Sequence, residues 1–285
     1  MTVVVKIGGA RAVDPKGALG DVASLVEDGE RVVVVHGGST AVDELLDRLG
    51  IEPEYVTTPG GVTGRFTDQE TIEAFSMAMA GKVNTELTVG LQNAGVNAVG
   101  LAGVDGGLLK GPRKSAVRVL EDGKKKIKRG DHSGRIAAVN ADLLESLLDE
   151  GYTPVVSVPM LGENGSDEDE RWVAVNADAD RSAAAVAGAL GARLVVLTDV
   201  TGVYEDPDDA STLIESVESP EDLASAREAA EGFMTKKVMA AVEALEGGAS
   251  EVIVADANVD APIGSALSGA GTRFFPDAIS EEEGN

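Results

Sequence analysis

The chain opens on two short, β-branched apolar runs, Thr2–Ile7 and Arg31–His36, each bounded by glycine. Neither alternates apolar with polar residues. Continuous apolar runs of this length predict strands buried on both faces, as in a parallel sheet. Between them, Lys16–Glu27 carries Leu19, Val22, Leu25 and Val26 at helical spacing, and Ser39–Leu49 repeats that spacing. The order β-α-β-α predicts a parallel sheet covered by helices.

The same style continues. Glu70–Gln92 predicts one long helix, followed by a strand near Asn97–Leu101. Ala116–Leu120 and Lys125–Arg129 flank Glu121-Asp122-Gly123-Lys124, where Asp-Gly signals a hairpin turn. Helices are expected at Asn140–Leu148, Asp180–Leu190, Pro220–Ala229 and Met234–Leu245. Strands are expected at Thr153–Val158, Arg193–Leu197, Glu251–Val254 and Thr272–Phe275. Gly162–Glu170 reads as a polar loop at a lobe boundary, and the acidic last ten residues read as frayed.

Composition narrows the function. The 285 residues are 43% hydrophobic, enough for one large α/β domain or two packed lobes. The absence of cysteine excludes disulfides, iron–sulfur clusters and thiolate zinc sites. The start lacks the basic and long apolar regions of a signal peptide, and no run is long enough to span a bilayer, so a cytoplasmic protein is expected, with no membrane partner. The net charge of −25 argues against nucleic acid and resembles the acidic surfaces of salt-accumulating halophiles. Against it, Lys110–Arg135 holds ten basic residues opposed only by Glu121, Asp122 and Asp131. Such a run is either a solvated face or a docking surface.

Two familiar nucleotide devices are missing: G-x-x-x-x-G-K-[ST], and G-x-G-x-x-G after the first strand. Instead, glycine pairs end the first two strands, at Lys6-Ile7-Gly8-Gly9 and His36-Gly37-Gly38-Ser39. They are either tight turns or anion cradles. Lys6, at the end of a buried strand, needs a counter-charge, and phosphate is one. Arg65, in the glycine-rich Gly60–Asp68 stretch, suits a bidentate carboxylate clamp or a solvated loop. Asp180, where Asn176–Arg181 opens the Ala-rich helix, reads by itself as an N-cap or as a functional residue. Lys236 and Lys237 stand in a helix's first turn, where the helix dipole disfavours cations, so an anionic partner is expected.

In this order and spacing the segments K-x-G-G, H-G-G, R-x-T-D, N-x-[ND]-x-D, T-D-V-x-G-V and G-x-M-x-x-K resemble the amino-acid kinase superfamily over essentially the whole chain. The resemblance to acetylglutamate kinase-like enzymes is close. The resemblance implies a three-layer α/β/α sandwich with a mainly parallel sheet, an acceptor lobe at about 1–170, an ATP lobe at about 171–285, and a homodimer. It implies that Lys6 and Lys237 stabilise the transferring phosphoryl group and that Asp180 orients both. Lys237 is preferred to Lys236 because it lies three residues after Met234. Gly8, Gly9, Gly37, Gly38 and Ser39 would donate to phosphates and the reacting carboxylate. Arg65 would hold the substrate α-carboxylate, and Asn176 its amide and reacting end. Asp199, Val200, Gly202, Val203, Tyr204, Gly232, Phe233 and Met234 would surround ATP, with Mg2+ held mainly by nucleotide phosphates.

Three local stretches, Gly81–Asn84, Gly95–Leu101 and Arg129–Gly134, are similar to kinases acting on glutamate or α-aminoadipate attached to the amino-group carrier protein LysW. That carrier is acidic, so the basic hairpin, with Lys124, Lys125, Lys126, Lys128 and Arg129, becomes its expected docking site. Ser39 and Gly64 are small departures from pattern, and Lys6 lies too near the start for the N-terminal helix of arginine-sensitive acetylglutamate kinases. N-acetylglutamate kinase is the alternative, and a non-catalytic amino-acid-binding regulator a third reading.

Overall fold

The computed structural model describes residues 1–8, 15–59, 61, 63–121, 124–165, 170–230 and 232–280. The first half comprises β1 (Thr2–Ile7), α1 (Pro15–Glu27), β2 (Arg31–His36), α2 (Ser39–Leu49), β3 (Tyr55–Thr57), β4 (Thr63–Arg65), α3 (Gln69–Ser76), a π-helical turn (Met77–Val83), α4 (Asn84–Asn93) and β5 (Ala98–Gly103). Then come β6 (Leu109–Glu121), β7 (Lys124–Gly134), β8 (Ala138–Val139), α5 (Ala141–Asp149) and β9 (Thr153–Glu163). The remainder is β10 (Trp172–Val175), α6 (Ala179–Ala189), β11 (Arg193–Thr198), β12 (Ser216–Val217), α7 (Pro220–Ala229), α8 (Phe233–Glu246), β13 (Glu251–Asp256), α9 (Pro262–Leu267) and β14 (Thr272–Phe274).

The sheet runs β12-β14-β13-β11-β1-β2-β9-β6-β7, with β5 and β10 also on β9 and β8 on β6. Its centre, β13-β11-β1-β2-β9, is parallel. Antiparallel pairing occurs at the margins, in β13–β14, β9–β10 and β6–β7. This is the three-layer arrangement that the resemblance implies.

Strand alternation sorts the core into two clusters. Val4, Val33 and Val35 face α2, α3, α5, α6, α7 and α8, whereas Val3, Val5, Val32 and Val34 face α1, α4 and α9. By that alternation Lys6 points to the first side and His36 to the second.

Several expectations change. The helix expected over Glu70–Gln92 is helical throughout but π-wound at Met77–Val83. The basic hairpin is much longer than its apolar runs, pairing Arg113 with Gly134 through to Glu121 with Lys124. Its Asp122-Gly123 turn lies outside the described residues. The polar loop expected at Gly162–Glu170 begins later, because β9 extends to Glu163 and β10 turns back upon it. Near the end, Pro276–Ile279 forms a 3-10 turn with Ala278 buried, where fraying was expected.

Candidate active site

The C-terminal ends of β1, β2 and β11 meet at one edge, where open parallel sheets gather ligands. Lys6 reaches this edge with its side chain 7% exposed, and its Nζ lies 2.5 Å from Asp180 Oδ1. Asp180 can turn inward because it is not the cap. Asp178 is, accepting from the backbone N–H of Asp180 and Arg181 at 2.9 and 3.1 Å. From α8, Lys237 Nζ approaches Asp180 Oδ2 at 3.5 Å. An Arg181–Glu243 ion pair ties α6 to α8 behind this cluster. The three residues expected to be catalytic therefore stand together, although their elements are far apart in sequence.

Burial favours a neutral Asp180, but Lys6 and Lys237 outweigh it and hold the carboxyl below its ordinary range. For Lys237 burial dominates and lowers its pKa, partly offset by Asp180 and Asp199 and reinforced by Lys6. With both lysines charged, the Lys6–Asp180–Lys237 cluster carries a net charge of +1, and it is largely buried. Such a group calls for an anion.

Donors stand nearby. The Gly37 N–H is not one of them, because it bonds to Ile7 O at 3.0 Å. That corrects the expectation of a free donor at Gly37. Gly38 caps α2 without any side-chain hydrogen bond. Among the described residues, the N–H groups of Gly38 and Ser39 have no acceptor. An uncapped helix start of this kind favours an anion. A Cβ at Gly38 would lie 2.6 Å from Met79 Sδ, so a larger residue there requires Met79 to move. Gly8 follows β1 directly; Gly9 lies outside the described residues.

Arg65 ends β4, one strand of a small hairpin that sequence reading missed. Its Nη2 donates to Asp43 Oδ1 at 2.5 Å, Tyr55 Oη at 3.2 Å and Ser39 O at 3.3 Å. Its Nε is buried with no acceptor among the described residues. One arm of the guanidinium is thus anchored beside α2 while another donor is unused.

Asn176 joins this region through Thr67, to whose Oγ1 its Nδ2 donates at 3.2 Å. The base of β7 holds the pair in place. His132 N donates to Thr67 O at 2.6 Å, and Asn176 N donates to His132 O at 2.7 Å. Buried Asp131 accepts from Thr67 N at 3.1 Å and from Ser133 Oγ. Next to His132, a cavity of about 530 Å3 lies between α3 and β10, lined by Gln69, Ile72, Met77, His132, Trp172 and Val173.

The segment expected to bind nucleotide leaves β11 at Asp199. Val203 N donates to Thr272 Oγ1 at 2.8 Å, Ile214 N donates to Val203 O at 2.9 Å, and Tyr204 bridges to Leu213. A Cβ at Gly202 would meet Thr272 Oγ1 at 2.5 Å, which accounts for that glycine. Val200 remains 39% exposed. Gly232 precedes α8 at φ +54°, a conformation suited to glycine, and Met234 packs on the core beside it. Phe233 begins the helix.

On the basic hairpin, Lys126 pairs with Glu121 at 2.6 Å. Lys128 pairs with Glu54 and lies 4.2 Å over the Phe66 ring. Lys124, Lys125 and Arg129 are exposed. Register places Ile127 opposite Arg118 and Leu120 opposite Lys125. One hairpin face therefore presents Ile127 and Leu120, 63% and 44% exposed, among Arg118, Lys125 and Arg129.

The strand ends of this parallel sheet thus gather two buried lysines around one aspartate, a charge arrangement suited to an anionic ligand. The model for the amino acid kinase family matches residues 1–256, and the chain belongs to that family. It is 44% identical over 276 residues to the [LysW]-aminoadipate kinase of Thermus thermophilus, covering 95% of this chain and 98% of that protein. It is also 44% identical over 242 residues to the acetylglutamate kinase of Methanopyrus kandleri, covering 82% of this chain and 91% of that one. Among solved structures, N-acetylglutamate synthase from Neisseria gonorrhoeae, complexed with coenzyme A and N-acetyl-glutamate, superposes with a TM-score of 0.71 at 26% identity. That match covers 96% of this chain but only 59% of the synthase.

Proposed function

We propose that the protein transfers the γ-phosphoryl group of ATP to the side-chain carboxylate of glutamate or α-aminoadipate held on an amino-group carrier protein. The product is an acyl phosphate in arginine or lysine biosynthesis. The observation that carries this reading is the buried Lys6–Asp180–Lys237 cluster, in which two ammonium groups share one carboxylate. A carboxylate oxygen forms the new bond to phosphorus, the bond from phosphorus to the β–γ bridging oxygen breaks, and ADP leaves with that electron pair. The nucleophile is already ionised, so no general base is needed. Catalysis is alignment and charge neutralisation by Lys6, Lys237 and the N–H groups of Gly38 and Ser39.

In this reading Arg65 and Asn176 hold the acceptor in a lobe of about 1–170. Asp199–Tyr204 and Gly232–Met234 surround ATP in a lobe of about 171–285. Among the described residues no three acidic or histidine side chains converge as a metal cage, and Asp180 is engaged by two ammonium groups. This donor set fits a magnesium ion that arrives on the nucleotide phosphates and neutralises their charge. The reading places the protein in a cytoplasm, one rich in salt given the charge of −25, and takes the homodimer from the family resemblance alone.

Support for a carrier-linked acceptor comes from the kinases named for LysW and from the basic hairpin. The cavity beside His132 gives room beyond the reacting end of the substrate. N-acetylglutamate is the second reading, favoured by the likeness to the Methanopyrus enzyme. Hydroxamate trapping and ADP release with carrier-linked glutamate, carrier-linked aminoadipate and acetylglutamate decide the question. Preference for a carrier-linked acceptor is the expected result. Preference for acetylglutamate reverses the order of the two readings, and silence with all three favours a binding regulator.

A further inference from the structure

Two stretches conspicuous in the sequence, Gly81–Asn84 and Gly95–Leu101, have no part in the site described above. They meet at a single point. A Cβ at Gly100 would lie 2.2 Å from Asn84 Oδ1 and 3.0 Å from Thr88 Oγ1, so a larger residue there must push the Asn84 side chain aside. Asn84, the first residue after the π-helical turn, is 5% exposed. Its Nδ2 donates to Val155 O at 2.8 Å and lies 3.1 Å from Nε2 of the fully buried His36.

These contacts fix a tautomer. An amide nitrogen only donates, so His36 Nε2 must accept, and the ring is neutral with its proton on Nδ1. Nδ1 lies 2.9 Å from Gly37 O and therefore donates to that carbonyl. Burial, opposed by the Gly37 bond and assisted by nearby Lys6, lowers the pKa of His36 to about 4, which keeps the ring neutral at ordinary pH. His36 and Lys6 point to opposite faces of the sheet. In a trans peptide the C=O and N–H are antiparallel, so drawing the Gly37 carbonyl to the His36 side turns the Gly38 N–H to the Lys6 side.

We propose that Asn84 and His36 are positioning residues, a relay from Val155 O through Asn84 and His36 to Gly37 O that locks the Gly37–Gly38 peptide with its N–H toward the reacting anion. The proposal rests on the kinase reading, because that anion is the acceptor carboxylate or the transferring phosphoryl group. Released from the lock, the peptide can rotate and present a carbonyl dipole where negative charge develops. The loss then falls on the transition state, in kcat, more than on the KM for ATP.

Long-range 1H–15N NMR of the wild-type protein at pH 7 reads the relay without any variant. The expected signal is a neutral His36 protonated at Nδ1; protonation at Nε2, or an imidazolium, overturns the proposal. Asn84→Leu should give a mixed tautomer and a kcat lower by roughly 10–10²-fold, somewhat less than losing an oxyanion donor outright. Gly100→Ala presses on Asn84 from β5 with every polar group retained, and should act in the same direction less strongly. A fall in kcat with the Nδ1 tautomer intact, or a changed tautomer with full kcat, refutes the relay. If the wild type phosphorylates none of the three acceptors, the kinase reading fails, while the tautomer result reports on the lock by itself.

Discussion

Lys6 Nζ lies 2.5 Å from Asp180 Oδ1, joining the end of the first strand to the first turn of α6. The contact neutralises one of two buried ammonium groups and leaves the other for the substrate. Replacing either Lys6 or Lys237 by alanine should lower kcat by roughly 10²–10³-fold, as for one preorganised charge. Circular dichroism should be little changed. Full turnover by either variant rules out the assigned roles.

Asp180→Asn tests the same pair from the other side. It strands two cations in the interior, and breaking a buried pair costs about 3–5 kcal/mol. Urea unfolding of the free enzyme should show a loss of that order. A stability equal to wild type means that water reaches the cluster and that its net charge is not held dry.

Arg65→Lys should mainly raise the acceptor KM, because a lysine cannot reproduce a forked carboxylate clamp. Asp43→Asn should do the same more weakly, since Asp43 anchors one arm of the guanidinium. A raised KM for ATP with an unchanged acceptor KM puts Arg65 in the wrong half of the site.

Much of this architecture was legible because its signals are local. The buried strands are continuous apolar runs, and Lys6 is conspicuous as a charge at the end of one. The relay through Asn84 and His36 was not, since a polar residue on a helix says nothing of a partner on a strand 48 positions upstream. The π-helical turn was hidden because apolar spacing remains helical through Met77–Val83. β10 escaped because four residues are too few to show a period. Gly37 was misjudged because motif spacing cannot reveal that its amide is already bonded to Ile7.

His36 makes stability depend on pH. Its pKa is about 4 when folded against an ordinary 6.5, so between those values the unfolded chain holds a proton that the folded one lacks. This contribution is complete above pH 6.5 and should decline by roughly 3 kcal/mol as pH falls toward 4. Urea midpoints of wild type and His36→Gln at pH 7 and 4.5 measure it. An equal decline in both proteins assigns the effect to other groups.

The hairpin test should separate its two faces. Replacing Arg118, Lys125 and Arg129 by serine should raise the KM for a carrier-linked acceptor at low salt, with the KM for ATP and any turnover of acetylglutamate unchanged. Replacing Lys126 and Lys128 should do less, because Glu121 and Glu54 already engage them. Unchanged handling of the carrier by the first variant makes the hairpin a solvated face and favours the acetylglutamate reading.

The seven surplus positive charges of Lys110–Arg135, set against a total of −25, also give the molecule a large electric dipole moment. In dilute buffer that dipole exerts a torque on any approaching polyanion, turning it toward the hairpin before contact. It also attracts the hairpin of one molecule to the acidic flank of another, so light scattering should show salt-reversible clustering. At molar salt the Debye length shrinks to about 3 Å and the torque vanishes. Recognition there depends on touching surfaces, and Ile127 and Leu120 become the durable part of the hairpin.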